Sequence, residues 1–186
     1  MKFIRHFLIL AVAIFGVSAV SASAQGYAGD NNKRNSSQTL EQKVFKQLIK
    51  LPYYGVFDNI KFELSGNTVI LSGKVAVARN YKDAERAVEG IAGVQRVVNN
   101  IEVLPPSGFD NSIRRQILRS FSDKGLYRYL WEPNPSVRII VKGGRVELEG
   151  YVRNRGDYDL MNILANGISG VFQVRNNLIV EKEDVR

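Results

Sequence analysis

The sequence predicts an α+β protein made of two tandem small two-layer domains, each running αββαβ with two helices packed on a three-stranded sheet. Three observations carry this. A long segment recurs at a fixed offset. Each copy opens with apolar residues at helical spacing. Each then switches to strict alternation around a glycine-marked turn.

The repeat is direct. Gly66-Asn67-Thr68-Val69-Ile70-Leu71-Ser72-Gly73-Lys74-Val75 realigns 77 residues later with Gly143-Gly144-Arg145-Val146-Glu147-Leu148-Glu149-Gly150-Tyr151-Val152. The match continues without a gap through Gly90-Ile91-Ala92-Gly93-Val94 and Gly167-Ile168-Ser169-Gly170-Val171, and through Asn99-Asn100 and Asn176-Asn177. Over residues 60–103 against 137–180, 14 of 44 positions are identical, which reads as duplication of one domain. The copies are placed at 38–104 and 109–182, with Pro105, Pro106, Ser107 and Gly108 as a short linker stiffened by its prolines.

The elements follow in order. Leu40, Val44 and Leu48 recur at helical spacing, and Thr39 with Gln42 fits a capping box at the start. Ile113, Ile117 and Phe121 are the counterparts in the second copy. Alternation follows at Ile60, Phe62, Leu64 and at Val69, Leu71, Val75, broken by a Gly66-Asn67 turn, and the second copy alternates likewise about Gly143-Gly144. These hairpins, and a last strand over 94–103 or 171–180, are expected to form a small antiparallel sheet. Between hairpin and last strand, Tyr81, Ala84, Val88 and Ile91 share a helical face, as do Asp157, Tyr158, Met161, Ala165 and Ile168. Asn80 is the expected cap, and Gly90 and Gly167 the expected ends. Gly73 and Gly150 are expected to let this helix approach the strand.

Composition excludes several chemistries. The chain has 186 residues, no cysteine, one histidine and a net charge of +8. Lys2 and Arg5 precede an apolar run from Phe7 to Val20, and Ala22-Ser23-Ala24 fits a cleavage site. Residues 1–24 are therefore read as a signal peptide and 25–37 as a polar, disordered tether. Loss of Lys2 and Arg5 lowers the charge from +8 to +6, and loss of His6 leaves no histidine. Zinc centres and Ser-His-Asp triads are thereby excluded. No cofactor and no metal are expected, and the chain is expected outside the cytoplasmic membrane, in the periplasm.

The pattern resembles the BON domain, a bacterial secreted module also found in osmotically induced periplasmic proteins. Gly73, Val75, Ala84, Ala87, Gly93, Val94, Val97 and Asn99 carry it in the first copy. Gly150, Val152, Gly170, Val171, Val174 and Asn176 carry it in the second, which departs at Met161 and Leu164, where alanine is usual. The resemblance implies a non-catalytic protein associated with phospholipid binding and envelope integrity or osmotic stress tolerance. The motif residues themselves read as structural: glycines for turns, asparagines for loop backbone bonds.

Function is sought where the copies diverge. The first helices align at an offset of 73 and the strands at 77, so the second copy has four extra residues between them. That stretch contains Leu126, Tyr127, Arg128, Tyr129, Leu130 and Trp131, near Arg114, Arg115, Arg119 and Lys124. Trp131 is the only tryptophan. Aromatics beside cations suit the headgroup region of an anionic bilayer. Arg115, Arg119 and residues 126–131 are therefore the candidate site for an anionic phospholipid surface. The same residues could instead cap a small core, fill a domain contact, or bind an outer-membrane or cell-wall partner. Leu51 to Phe57 is a weaker cluster with fewer cations.

Other chemistry falls away. Glu147 and Glu149 alternate with Val146 and Leu148, so they read as an exposed strand face. Asn154 to Asp159 is too short and too basic for a calcium loop. Gly90-Ile91-Ala92-Gly93 spells the GXXG of KH domains, but its apolar spacer and its place between helix and strand argue against nucleic acid.

Overall fold

The computed structural model describes residues 38–131 and 134–181; the expected signal peptide and tether lie outside them. The first domain runs α1 (Leu40–Leu48), β1 (Asn59–Ser65), β2 (Thr68–Val75), α2 (Arg79–Glu89) and β3 (Arg96–Val103). The second runs α3 (Gly108–Asp123), a single 3-10 turn (Tyr127–Tyr129), β4 (Val137–Lys142), β5 (Arg145–Val152), α4 (Arg155–Asn166) and β6 (Gln173–Val180). This is the expected αββαβ architecture, twice.

Register shows why alternation works. Phe62 lies opposite Leu71 and Leu64 opposite Val69; Ile139 lies opposite Leu148 and Val141 opposite Val146. Each hairpin thus has one apolar face, and the helical stripes cover it. Val44, Val69, Leu71, Val75, Ala84 and Val88 are fully buried in one core. Ile117, Phe121, Val137, Ile139, Leu148, Met161 and Ala165 are fully buried in the other. The Thr39–Gln42 capping box is present.

Four expectations are corrected. The sheets are mixed: β3 pairs parallel to β2 and β6 parallel to β5. A helix connects the paired strands, so the chain returns to its starting end before the last strand begins. Asn80 does not cap α2; it is buried, and its Nδ2 donates to the Tyr53 carbonyl and to Asp58 Oδ2. In the second domain the cap is Asn154, whose Oδ1 accepts from the Asp157 N–H. Gly73 and Gly150 do not make room for a helix. A Cβ there would lie 2.1 Å from the Asn59 carbonyl oxygen and 1.9 Å from that of Ser136, so they admit the start of the neighbouring strand. Finally, Asn99 and Asn176 bind helix rather than loop. Their Nδ2 groups donate to the Tyr81 and Tyr158 carbonyls, and their Oδ1 atoms accept from Ile101 and Leu178 N–H. The two sets are equivalent and clamp the last strand to the second helix.

The domains meet through the faces of their sheets turned away from the helices. Lys61 pairs with Glu149 at 2.8 Å, Lys74 with Glu147 at 2.7 Å, and Lys142 with Glu102. Glu147 and Glu149 are thus interface residues rather than a freely solvated face; the Glu149 side chain is only 14% exposed. The loop Leu51–Phe57 completes the contact. Val56 and Phe57 pack against the second core. The Val56 carbonyl accepts from Ile139 N–H at 2.7 Å, so this loop occupies the edge of β4. Arg138, nearly buried, lies 4.3 Å above the Tyr54 ring and donates to the Gly55 carbonyl. Asp58 closes the loop by accepting from the N–H groups of Gly55, Ala76 and Val77. Burial pushes the Asp58 carboxyl up from its ordinary value and outweighs those bonds and Arg138.

Candidate membrane interface

The site is built on α3. Ser107 Oγ accepts from Asp110 N–H and starts the helix. At 100° per residue, Ile113, Ile117 and Phe121 face the core while Arg115, Arg119 and Ser122 fall within one arc on the other side. Arg115 and Arg119 are exposed there. Arg114 is not part of this face. It is buried, its Nη groups reach Asn111 Oδ1 and the Val141 carbonyl, and burial lowers its pKa.

After α3 the chain turns back through the 3-10 turn, and its aromatic run divides. Leu126, Tyr129 and Leu130 are buried in the second core. Those three sequence candidates are corrected to core residues: spaced three and four apart about the 3-10 turn, they fall on its inward side. Tyr127 and Trp131 point outward at 61% and 68% exposure. Trp131 Nε1 lies 3.4 Å from Ser122 Oγ, which sets the indole at the end of the arc holding Arg115 and Arg119. Arg128 is tied down: it pairs with Asp157 at 2.6 Å and stacks 4.8 Å from the Tyr129 ring. Tyr129 O–H donates to the same carboxylate. Burial raises the Asp157 pKa, but the bonds from Tyr129 and Arg128 together hold it below the ordinary value.

The structure therefore leaves Arg115 exposed at the middle of α3, Arg119 exposed nearer its C-terminal end, and Tyr127 and Trp131 exposed just beyond that end, and removes Leu126, Tyr129 and Leu130. The arrangement offers two cations and two amphipathic rings, with no nucleophile–base pair. Among the described residues no cluster of carboxylates or other ligands could hold a metal, and no helix is long and apolar enough to cross a membrane. Sequence reasoning missed further exposed rings of this domain, among them Phe109 at 51% and Phe172 at 77%. A signal was available at Phe172, which aligns with Gln95 in the other copy.

The family model described as the BON domain matches residues 36–105 and, again, 109–182. No curated protein matches the chain. Among solved structures, it is similar to the C-terminal domain of CdsD, the structural protein of the type III secretion system of Chlamydia trachomatis. That match has 10% identity over 75% of this chain and 96% of that one, with a TM-score of 0.32. A second CdsD structure matches at 11% identity over 77% and 94%, with a TM-score of 0.31.

Proposed function

Because the chain belongs to the BON domain family and carries the domain twice, we propose that it is a non-catalytic envelope protein that binds anionic phospholipid surfaces peripherally. On this reading residues 1–24 direct export to the periplasm and are cleaved, and the protein supports envelope integrity. The second domain touches the membrane, and the first positions it. The observation that carries the reading is the outward indole of Trp131 at the end of the arc bearing Arg115 and Arg119. A ring with an apolar body and a polar N–H favours headgroup depth. Each nearby cation adds about 1 kcal/mol on an anionic surface, within a Debye length.

The test is a vesicle titration of residues 25–186 followed by intrinsic fluorescence, which reports Trp131 alone because no other tryptophan is present. Phosphatidylglycerol vesicles should blue-shift the emission, phosphatidylcholine vesicles should not, and salt should weaken the effect. Combining Trp131→Ala with Arg115→Ala and Arg119→Ala should reduce cosedimentation with anionic vesicles at least tenfold, given about 2 kcal/mol from the two cations. Unchanged binding by that variant would remove the site. Failure of the wild-type chain to bind any anionic vesicle would leave an envelope protein as the partner.

A further inference from the structure

We infer that Phe109 and Phe172 form a second lipid-insertion point of the same domain, at the end of α3 opposite Trp131. This rests on the lipid-surface reading above and adds a contact to it. The two rings meet with centroids 6.5 Å apart. Phe109 stands in the first turn of α3 and Phe172 in the loop before β6, and the Gly143-Gly144 turn between β4 and β5 is held against both pieces.

The tip is rigid. Both Asp110 carboxylate oxygens are taken, one by Gly143 N–H and one by Gly144 N–H, each at 2.9 Å, which locks the turn to α3. The Phe172 N–H donates to the Gly144 carbonyl at 2.9 Å. Each ring rests against a glycine. A Cβ at Gly144 would lie 2.5 Å from the Phe172 ring, and one at Gly170 2.9 Å from the Phe109 ring.

The duplicated domain supplies the control. In the first copy the same backbone bond runs from Gln95 N–H to the Asn67 carbonyl at 2.9 Å. The fold therefore closes this end with a glutamine in place of Phe172. An aromatic 77% exposed at that position adds nothing the fold requires.

Charge selects the occupant. Arg145 flanks the turn as an exposed cation, beside its register partner Lys142, which is paired with Glu102 of the first domain. Asp110, the carboxylate held by the turn, is buried and fully bonded. Exposed rings beside a cation such as Arg145 fit the boundary between acyl chains and anionic headgroups. Thirteen residues of helix separate Phe109 from Ser122, about 20 Å along the axis, so the tip is a contact separate from that at Trp131.

The experiment uses residues 25–186 with Trp131→Phe and Phe172→Trp, beside the wild-type chain. Both meet phosphatidylglycerol/phosphatidylcholine vesicles carrying bromine on the upper acyl chain. Quenching of the indole at 172 as well as that at 131 is expected. Phe172→Gln, the residue of the first copy, should lower vesicle partition roughly tenfold for one half-inserted ring, with unchanged circular dichroism. Quenching at 131 but none at 172 in a vesicle-bound chain overturns the second anchor and leaves the first. Quenching at 172 alone keeps the tip and overturns the Trp131 site. No wild-type binding to anionic vesicles overturns both.

Discussion

At the scale of single residues, carboxylates do the organising. Asp58 gathers three N–H groups and Asn80 around one buried side chain. Asp110 ties a turn to a helix, and Asp157 joins Tyr129, Arg128 and Asn154. Asp157 has its pKa lowered on folding. Its contribution to stability is then complete above the unfolded value of 3.8 and is lost as pH falls through the folded value. Asp157→Asn should cost about 1–3 kcal/mol at neutral pH. In melts from neutral to strongly acid pH, the gap between wild type and variant should narrow once the pH drops below 3.8. A gap independent of pH would show that the ionised carboxylate is not what matters.

At the scale of elements, the close crossing of strands explains the paired glycines better than helix packing does. Gly150 has a φ of +114 and lies against the Ser136 carbonyl. Gly150→Ala brings a backbone clash together with a strained conformation, and should destabilise the second domain by about 3 kcal/mol or more. Chemical denaturation with Trp131 as the probe would read it, and a loss below about 1 kcal/mol would show that the strand can move away. The same scale explains the aromatic run. Periodicity places an α3 stripe, but a 3-10 turn has its own spacing. Composition alone could not tell that Tyr129 goes in while Tyr127 and Trp131 stay out.

At the scale of the whole molecule, two small domains keep separate cores and meet through ion pairs between sheet faces and through the Leu51–Phe57 loop. Each domain contributes both lysine and glutamate, so the pairs cross in both directions. Exposed pairs of this kind contribute about 0.2–1 kcal/mol each. A double-mutant cycle on Lys61→Glu and Glu149→Lys should show each single change destabilising and the double change partly restoring stability. The coupling should shrink at high salt. Additive effects would mean that the pair does not couple the domains.

The sequence by itself determined the duplication, the αββαβ order and the apolar stripes and alternating strands that line both cores. These rest on local periodicity and on spacing that survives in one dimension. Tertiary structure alone decided that β3 and β6 run parallel to their neighbours, because alternation is identical in both directions. It also decided that Glu147 and Glu149 meet lysines of the other domain, that Leu51–Phe57 covers the edge of β4, and that Phe109 and Phe172 share one tip. Each of those facts joins residues dozens of positions apart, and no local pattern encodes which distant surface will cover a polar strand face or bring two rings together.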